Sequence, residues 1–269
     1  VVNDVFTTSG TAATSGDTSA VATATVAIGY NAKALEPKSV ALGNAATTQD
    51  QADSAIAIGD AAKVGTSAAL TSRAIAMGAG ALVNNGGTDN IAPRSSAQVA
   101  ADATRAVAMG VGATANSGSS IAMGDGAVAG AVGKTNAIAI GTASQATGNQ
   151  SISIGTGNKV SGAKSGAIGD PTTITGAESY SLGNNNSIAS DNAFVVGNNV
   201  TLGALTNEAV ALGNNSAVSQ PGGVALGANS KATTAAGVAG YDPVTGSAST
   251  DTSATWKSTL AAVSVGNGT

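Results

Sequence analysis

This chain contains no histidine and no cysteine, so its carboxylates are the side chains most suited to catalysis. Two carboxylates facing each other on a repetitive protein would indicate cleavage of a polysaccharide. The 15 Asp and Glu residues do not recur at matching positions, however. Asp60, Asp125 and Asp170 each follow a glycine but stand far apart in the sequence. We therefore predict no catalytic residue and no enzyme activity.

Sites for metals, phosphates and other cofactors are not predicted either. Without histidine and cysteine the chain has no Ser-His-Asp triad and no common zinc site. A calcium-binding nonapeptide array needs a recurring Gly-Asp unit, and Gly124-Asp125-Gly126 is isolated. No Gly-rich phosphate loop ending in Lys-Ser or Lys-Thr occurs.

The charge pattern excludes two kinds of partner. The 11 Lys and Arg residues are scattered singly and the net charge is −4, so no basic patch for nucleic acid or an anionic membrane is predicted. No run of 18 apolar residues is present, and the first residues do not form a signal peptide. We expect no membrane contact by this segment and interpret it as a piece of a longer protein.

A tetrapeptide of the form large-small-large-Gly recurs thirteen times, as in Ile138-Ala139-Ile140-Gly141. The commonest step between its glycines is about 14 residues, as from Gly29 to Gly43, and a fixed period indicates stacked structural units. The period-2 alternation inside each copy is typical of a strand, and the many glycines would break a helix.

Each glycine is expected to end its strand at a turn that needs positive φ or a close backbone approach. A second, weaker strand follows, with a small residue three positions after the glycine and an apolar one five positions after it. Two strands of about five residues and two short turns fill one period, which predicts a two-sided coil and two stacked parallel sheets. The predicted turn glycines are Gly29, Gly43, Gly59, Gly124, Gly141, Gly155, Gly169, Gly183, Gly197, Gly213 and Gly227.

Side-chain size predicts which face of the first strand points into the coil and which points outwards. We expect the large residues to fill the coil and the small ones to form a flat outward stripe. Such a stripe is rarely left open, so it is either covered by copies of the same chain, which we favour, or it is a ligand-binding plane. The predicted interface residues are Ala27, Ala41, Ala57, Ala76, Ala108, Ala122, Ala139, Ser153, Ala167, Ser181, Ala211 and Ala225.

One copy closely resembles the head repeat of YadA-like trimeric autotransporter adhesins, whose pattern is Asn-Ser-Val-Ala-Ile-Gly-x-x-Ser-x-Ala. It reads Asn136-Ala137-Ile138-Ala139-Ile140-Gly141-Thr142-Ala143-Ser144-Gln145-Ala146. Residues 24–34 and 224–232 are also similar, and the resemblance extends over about residues 20–235. It implies an all-β, left-handed parallel β-roll with three identical chains around a common axis. In that family the head is the outer end of a fibre on a Gram-negative cell.

The residues after about 235 depart from the repeat. A tight turn is predicted at Gly240–Gly246, and the single tryptophan, Trp256, precedes the apolar stretch 260–266. This stretch resembles the Trp-ring element of the family, which implies a cluster of three Trp256 side chains in the trimer interface. A plain cap over the end of the solenoid is the alternative. We divide the chain into an N-terminal cap or degenerate coil (1–22), the head roll (23–235) and the Trp-ring-like element (236–269).

Two features are candidates for ligand contacts. The step from Gly78 to Gly110 is more than twice the usual one, and such insertions usually form surface loops. This stretch is either a receptor contact or tolerated surface variation, and residues 98–105 form either a degenerate coil or a short helix. Asparagines after the late glycines form either a hydrogen-bonded ladder or, as we favour, left-handed turns. The candidate ligand residues are Asn84, Asn85, Asp89, Arg94 and Arg105.

The resemblance implies the adhesive head of a surface fibre that binds host extracellular matrix, host cells or other surfaces and mediates adhesion or autoagglutination, with a role in virulence. The predicted partners are the other chains of a homotrimer and a host matrix protein or other surface. The expected location is the bacterial cell surface, at the outer end of a fibre anchored in the outer membrane. The alternative is an ice- or carbohydrate-binding solenoid with an open flat face, although ice binders should carry threonine pairs there.

Overall fold

The structure is a computed structural model that describes residues 19–20, 24–49, 51–65, 71–83, 89–93, 97–100 and 103–266. Every regular element in these residues is a β-strand, and none is a helix. Strands of successive coils pair in parallel, which confirms the predicted all-β parallel solenoid. The chain forms two compact units, Val1–Gln150 and Ser151–Thr269. Most of the predicted N-terminal cap, residues 1–22, lies outside the described residues.

Two parallel sheets build the first unit. The sheet made by the tetrapeptides, called here the tetrapeptide sheet, contains β2 (Val26–Ile28), β4 (Val40–Leu42), β6 (Ile56–Ile58), β8 (Ile75–Met77), β10 (Ile91–Ala92), β12 (Val107–Met109), β14 (Ile121–Met123) and β16 (Ile138–Ile140). The second sheet contains β1 (Ser19–Ala20), β3 (Lys33–Ala34), β5 (Thr47–Thr48), β7 (Lys63–Val64), β9 (Leu82–Val83), β11 (Gln98–Val99), β13 (Thr114–Ala115), β15 (Val128–Ala129) and β17 (Gln145–Ala146).

The second unit repeats this arrangement and adds a tail. Its tetrapeptide sheet contains β18 (Ile152–Ile154), β20 (Gly166–Ile168), β22 (Tyr180–Leu182), β24 (Phe194–Val196), β26 (Val210–Leu212), β28 (Val224–Leu226) and β32 (Val263–Ser264). Its second sheet contains β19 (Lys159–Val160), β21 (Thr172–Ile174), β23 (Asn186–Ile188) and β25 (Thr201–Leu202), and the equivalent strands of the last coils, β27 (Ala217–Val218) and β29 (Lys231–Ala232), pair as a separate two-stranded sheet. Strands β30 (Tyr241–Asp242) and β31 (Ser247–Ala248) form an antiparallel hairpin.

The strands are shorter than predicted, because left-handed residues occupy both turns of each coil. Tetrapeptide strands are mostly three residues long and second strands mostly two, against an expected five. In the coil that starts at Asn136, φ is +57° at Asn136, +122° at Gly141 and +54° at Ala143. Single residues with positive φ reverse the chain sharply. Such reversals in the described coils leave room for only short strands.

Small side chains fill the inside of the coil, and large ones face outwards. In the same coil Ala137, Ala139, Ser144 and Ala146 are completely buried, whereas Ile140 is partly exposed. The inward positions are those two and four residues before the glycine and three and five residues after it. The core of the first unit accordingly consists of alanines and a few valines.

The predicted orientation of the first strand is therefore wrong. The residues assigned to the interface between chains are at most 4% exposed within a single chain, so they contact their own chain and present no surface to another. The reason is the width of the coil: Thr48 of one sheet donates a hydrogen bond directly to the Ser39 hydroxyl across it, at 3.0 Å. The residues concerned are Ala27, Ala41, Ala57, Ala76, Ala108, Ala122, Ala139, Ser153, Ala167, Ser181, Ala211 and Ala225.

Within each unit most of the turn glycines form a ladder in which one backbone lies against the next. A Cβ atom on Gly43 would lie 2.5 Å from the carbonyl oxygen of Gly59, and φ at Gly43 is +132°. A side chain here would need both an unfavourable backbone conformation and a shift of the neighbouring coil. All the predicted turn glycines have positive φ, between +109° and +153°.

Length differences between coils fall in the second turn, the connection from a second strand to the next tetrapeptide. The first turn keeps four residues in most coils, as in residues 43–46. The second turn has five residues at 35–39, seven at 49–55 and eight at 130–137. The long step between Gly78 and Gly110 contains one further coil, in which β10 pairs with β8 and β12 and β11 pairs with β9 and β13. Of the two alternatives for residues 98–105, the degenerate coil is therefore correct.

Candidate functional surfaces

A stripe of large apolar side chains runs along the outer face of each tetrapeptide sheet. It consists of the residues on either side of the buried Ala or Ser, and we call it the apolar stripe. In the first unit Leu42 is 39% exposed and Met77 is 42% exposed; in the second unit Leu182 and Phe194 are each 51% exposed. Parallel pairing in register stacks equivalent residues, so that Met123 lies beside Ile140. Apolar groups therefore line up from coil to coil within each unit.

The bulky members of the stripe are accommodated on the surface. The ring of Tyr180 lies where a side chain on Gly166 would be, since a Cβ atom there would come within 2.7 Å of the ring. Phe194 follows Tyr180 in register on the next strand. Glycine, tyrosine and phenylalanine occur at this position in three successive coils because it faces outwards, where the opposite sheet does not limit size.

The candidate ligand residues lie in different surroundings. Asn84, Asn85 and Arg94 are outside the described residues. Asp89 and Arg105 occupy the same left-handed position of successive coils, with φ of +59° and +53°. Both are exposed, but the Asp89 carboxylate accepts two hydrogen bonds from Arg73, at 2.6 and 3.1 Å.

The ion pair at Asp89 has the expected electrostatic effect. Hydrogen bonding to the Asp89 carboxylate and then its charge raise the pKa of Arg73. Since both side chains are largely exposed, this pair adds little stability. Lys164 and Glu178 make a similar pair between coils of the second unit, at 2.9 Å. Asp89 is thus a partner of Arg73 in this structure.

The asparagines after the late glycines form both left-handed turns and a hydrogen-bonded ladder. Asn185, Asn199, Asn215 and Asn229 have left-handed backbone conformations. The side-chain oxygen of Asn198 accepts a hydrogen bond from the backbone N–H of Asn184 at 2.7 Å, and Asn185 donates to Asn199 across the same step, also at 2.7 Å. Turn geometry and a hydrogen-bonded ladder therefore coexist in the second unit.

The element at the end of the chain joins the tetrapeptide sheet through β32, in which Val263 pairs with Val224. Trp256 is partly buried, and its carbonyl oxygen accepts a hydrogen bond from Gly240 at 2.7 Å. Several apolar side chains of the element are exposed: Val238, Tyr241, Val244, Leu260, Val263 and Val265. The tail is thus held to the roll by backbone pairing while much of its apolar surface faces solvent.

Within the described residues, acidic side chains do not gather into a group of three or more that could hold a metal ion. A helix long and apolar enough to cross a membrane is likewise not found in that part of the chain. The alternative of an ice- or carbohydrate-binding solenoid required an open flat face of alanines. Those alanines are buried, so they cannot form such a face.

Comparison with protein families gives a match that agrees with this geometry. The model of the YadA head domain repeat matches residues 20–46, 101–127, 133–158 and 207–239. Four segments of the chain are thus similar to the YadA head repeat. The resemblance stated from the sequence is confirmed in these four segments, each of which contains at least one glycine of the tetrapeptide. No curated protein matches the chain.

The described coils outside the matched segments have the same two-stranded form as the coils inside them. Residues 47–100 and 159–206 are not matched, yet the described parts of both keep the two strands per coil and, apart from Val195, the buried small residue of the tetrapeptide. The sequence there varies at outward positions, at the inward Val195 and after Ile91-Ala92-Pro93, where Arg94 stands in place of the tetrapeptide glycine.

Proposed function

We propose that this chain is the adhesive head of a bacterial surface fibre, working as a homotrimer. The observation that carries the proposal is the set of YadA head repeats folded as a parallel β-solenoid with an exposed apolar stripe. Heads built from these repeats belong to surface adhesins and are in general not enzymes. The fibre would be anchored in the outer membrane and hold the head at its extracellular end, at the cell surface.

The apolar stripe, and not the alanines, is the proposed trimer interface. Long rows of exposed Val, Ile, Leu and Met are unusual on a soluble surface and mark sites of association. A partner must offer apolar groups at the coil spacing, about 4.8 Å. A second copy of the chain in parallel orientation offers apolar groups at this spacing, because its stripe has the same period. Three copies around one axis would cover all three stripes.

Trp256 is proposed to join this interface at the end of the roll. It lies in an element whose exposed apolar residues include Leu260 and Val263, and β32 extends the sheet that carries the stripe. Three copies of this element around the axis would bring the three Trp256 side chains together and cover these residues. A cap formed by each chain separately would leave them in solvent.

Adhesion would act through many fibres at once, because multivalent contact amplifies weak individual sites. The proposed targets are host extracellular matrix, host cells or other surfaces, including sister cells in autoagglutination, and attachment of this kind would contribute to virulence.

Assembly and adhesion can be tested on the purified chain. Light scattering should give three times the 25.2 kDa of one chain. Beads coated with the chain should adhere to at least one of collagen, fibronectin, laminin and bare plastic, whereas beads coated with a heat-denatured sample should not. A monomer that adheres to none of these surfaces would contradict the proposal.

A further inference from the structure

A groove in the first unit lies beside the second turn at residues 130–137. It has a volume of about 970 Å³, and Thr104, Asn116, Val128, Lys134 and Thr147 are among the residues that line it. The step from Gly124 to Gly141 is longer than the standard step, and the extra length lies in this turn. The insertion builds the wall of the groove, on which Lys134 and the almost fully exposed Val132 stand.

Several polar groups of this groove have hydrogen-bonding capacity that the described chain does not use. Thr104, Asn116 and Thr147 form no side-chain hydrogen bond to another described residue. Ser117, which is 5% exposed, also lines the groove, and its hydroxyl has no partner among the described residues. Buried polar groups are nearly always paired, so this unpaired hydroxyl is consistent with a site that is completed by a ligand or by water.

Charge narrows the class of ligand. Lys134 is exposed, and neither ion pair among the described residues involves it. An ammonium group beside unpaired hydroxyl and amide groups suits a small molecule that carries one carboxylate and several hydroxyls. Val128 and Val132 offer apolar contact to the C–H face of a sugar ring.

The pairing of the strands disfavours a peptide that would bind by strand addition. Strand β15 is hydrogen-bonded to β13 on one side and to β17 on the other. Its backbone therefore offers no free edge at the groove for an added strand. A single lysine is also too little positive charge for nucleic acid.

We propose that this groove binds a carboxylate-bearing sugar of a surface glycan, with Lys134 pairing with the carboxylate and Thr104, Asn116 and Thr147 contacting hydroxyls. The proposal rests on the proposed adhesive function and names the ligand class for one of its contacts. The acidic sugar could be a terminal sialic acid or a uronic acid of a matrix polysaccharide, and these share the chemistry that the groove recognises.

The test uses the full chain and three saccharides in ligand-observed NMR and calorimetry: 3′-sialyllactose, a hyaluronan tetrasaccharide and neutral lactose. At least one acidic saccharide should bind, and lactose should bind at least about tenfold more weakly, since one charge-assisted contact is worth about that factor. Lys134→Gln should weaken binding by a similar factor, whereas Lys33→Gln, at an exposed lysine of the same unit, should not. Equal affinity of Lys134→Gln and the unchanged chain, or no binding of either acidic saccharide, would overturn the proposal.

A deletion separates the groove from folding. Removing residues 132–134 restores the standard step and should leave the melting temperature nearly unchanged while saccharide binding is lost. Retained binding by a folded deletion variant would count against the groove. Assembly and adhesion, measured on the same samples, distinguish the two proposals. A trimer that adheres but binds no acidic saccharide contradicts only the groove, whereas a monomer that binds the saccharide but adheres to nothing contradicts only the proposed function.

Discussion

At the scale of single residues, variation of side-chain size between the copies identifies the outer face of this solenoid more reliably than hydrophobicity does. The position two residues before the glycine is Ala or Ser in nearly every copy, whereas the next outward position varies from Gly166 to Tyr180 and Phe194. A narrow core restricts its residues to small ones, and a surface does not. The usual rule that large apolar side chains lie inside therefore gave the wrong face here, although the strict limit on size was present in the sequence.

Enlarging the inward alanine should destabilise the coil. Ala139 is completely buried, so Ala139→Leu should lower the free energy of unfolding by about 1–3 kcal/mol through overpacking. The matched control is Gln145→Leu, which places an equally large side chain on the outward face of the same coil. Urea unfolding measures both variants. A stable Ala139→Leu protein together with a destabilised control would restore the orientation predicted from the sequence.

Substitution by alanine should cost more stability at a tetrapeptide glycine, such as Gly43, than at a glycine two residues after a tetrapeptide glycine, such as Gly112. Gly43→Ala should cost several kcal/mol because its Cβ would lie 2.5 Å from the carbonyl oxygen of Gly59. Gly112→Ala should cost about 1 kcal/mol or less, since nothing lies within 4 Å of that Cβ. Ala45 and Ala61 already occupy the equivalent left-handed position in other coils. Thermal unfolding of the two variants compares them, and equal losses would mean that the close backbone approach contributes nothing.

At the scale of elements, the sequence predicts the order of strands and turns but not their lengths. The repeat period, the glycine that ends the first strand and the presence of a second strand all follow from spacing and residue type, and the structure has each of them. The strand lengths were overestimated because Ala143 and Asn136 are left-handed, a conformation that alanine seldom adopts. The coil at β10 and β11 was equally hard to recognise, since Pro93 stands where other copies have a large residue followed by glycine.

The asparagine ladder predicts a local loss of protection when one acceptor is removed. The side-chain oxygen of Asn198 accepts a hydrogen bond from the backbone N–H of Asn184. Asn198→Ala should therefore speed hydrogen exchange at that amide and cost about 0.5–1.5 kcal/mol of stability. Asn198→Asp keeps an acceptor, as Asp170 does for Thr156 at the same coil position, and should keep the protection. Equal exchange rates in the two variants would show that the ladder does not stabilise the turn.

At the scale of the whole molecule, the fold of one chain leaves its largest side chains uncovered. Most described coils bury mainly alanine and serine with one larger aliphatic residue on the second sheet, such as Ile174, although the coil with Leu202 also buries Val195 and Val200. Burial of that kind yields little hydrophobic free energy per ordered residue. Association through the apolar stripe would bury the groups that the chain cannot bury alone. Folding and assembly would then be interdependent, which the pattern of a single chain does not reveal.

Charges placed on the two sheets of the same coils should separate assembly from folding. Met123 and Ile140 are neighbours in register on the apolar stripe, and Val128 and Gln145 are neighbours on the second sheet. Met123→Asp combined with Ile140→Asp would bury two unpaired carboxylates per chain at the proposed interface, which costs several kcal/mol each. The mass from light scattering should then fall from that of the trimer to the 25.2 kDa of one chain. Val128→Asp combined with Gln145→Asp adds the same charges in the same coils on the opposite sheet and should leave the trimer intact. If the second pair dissociates the protein and the first does not, the interface lies on the second sheet.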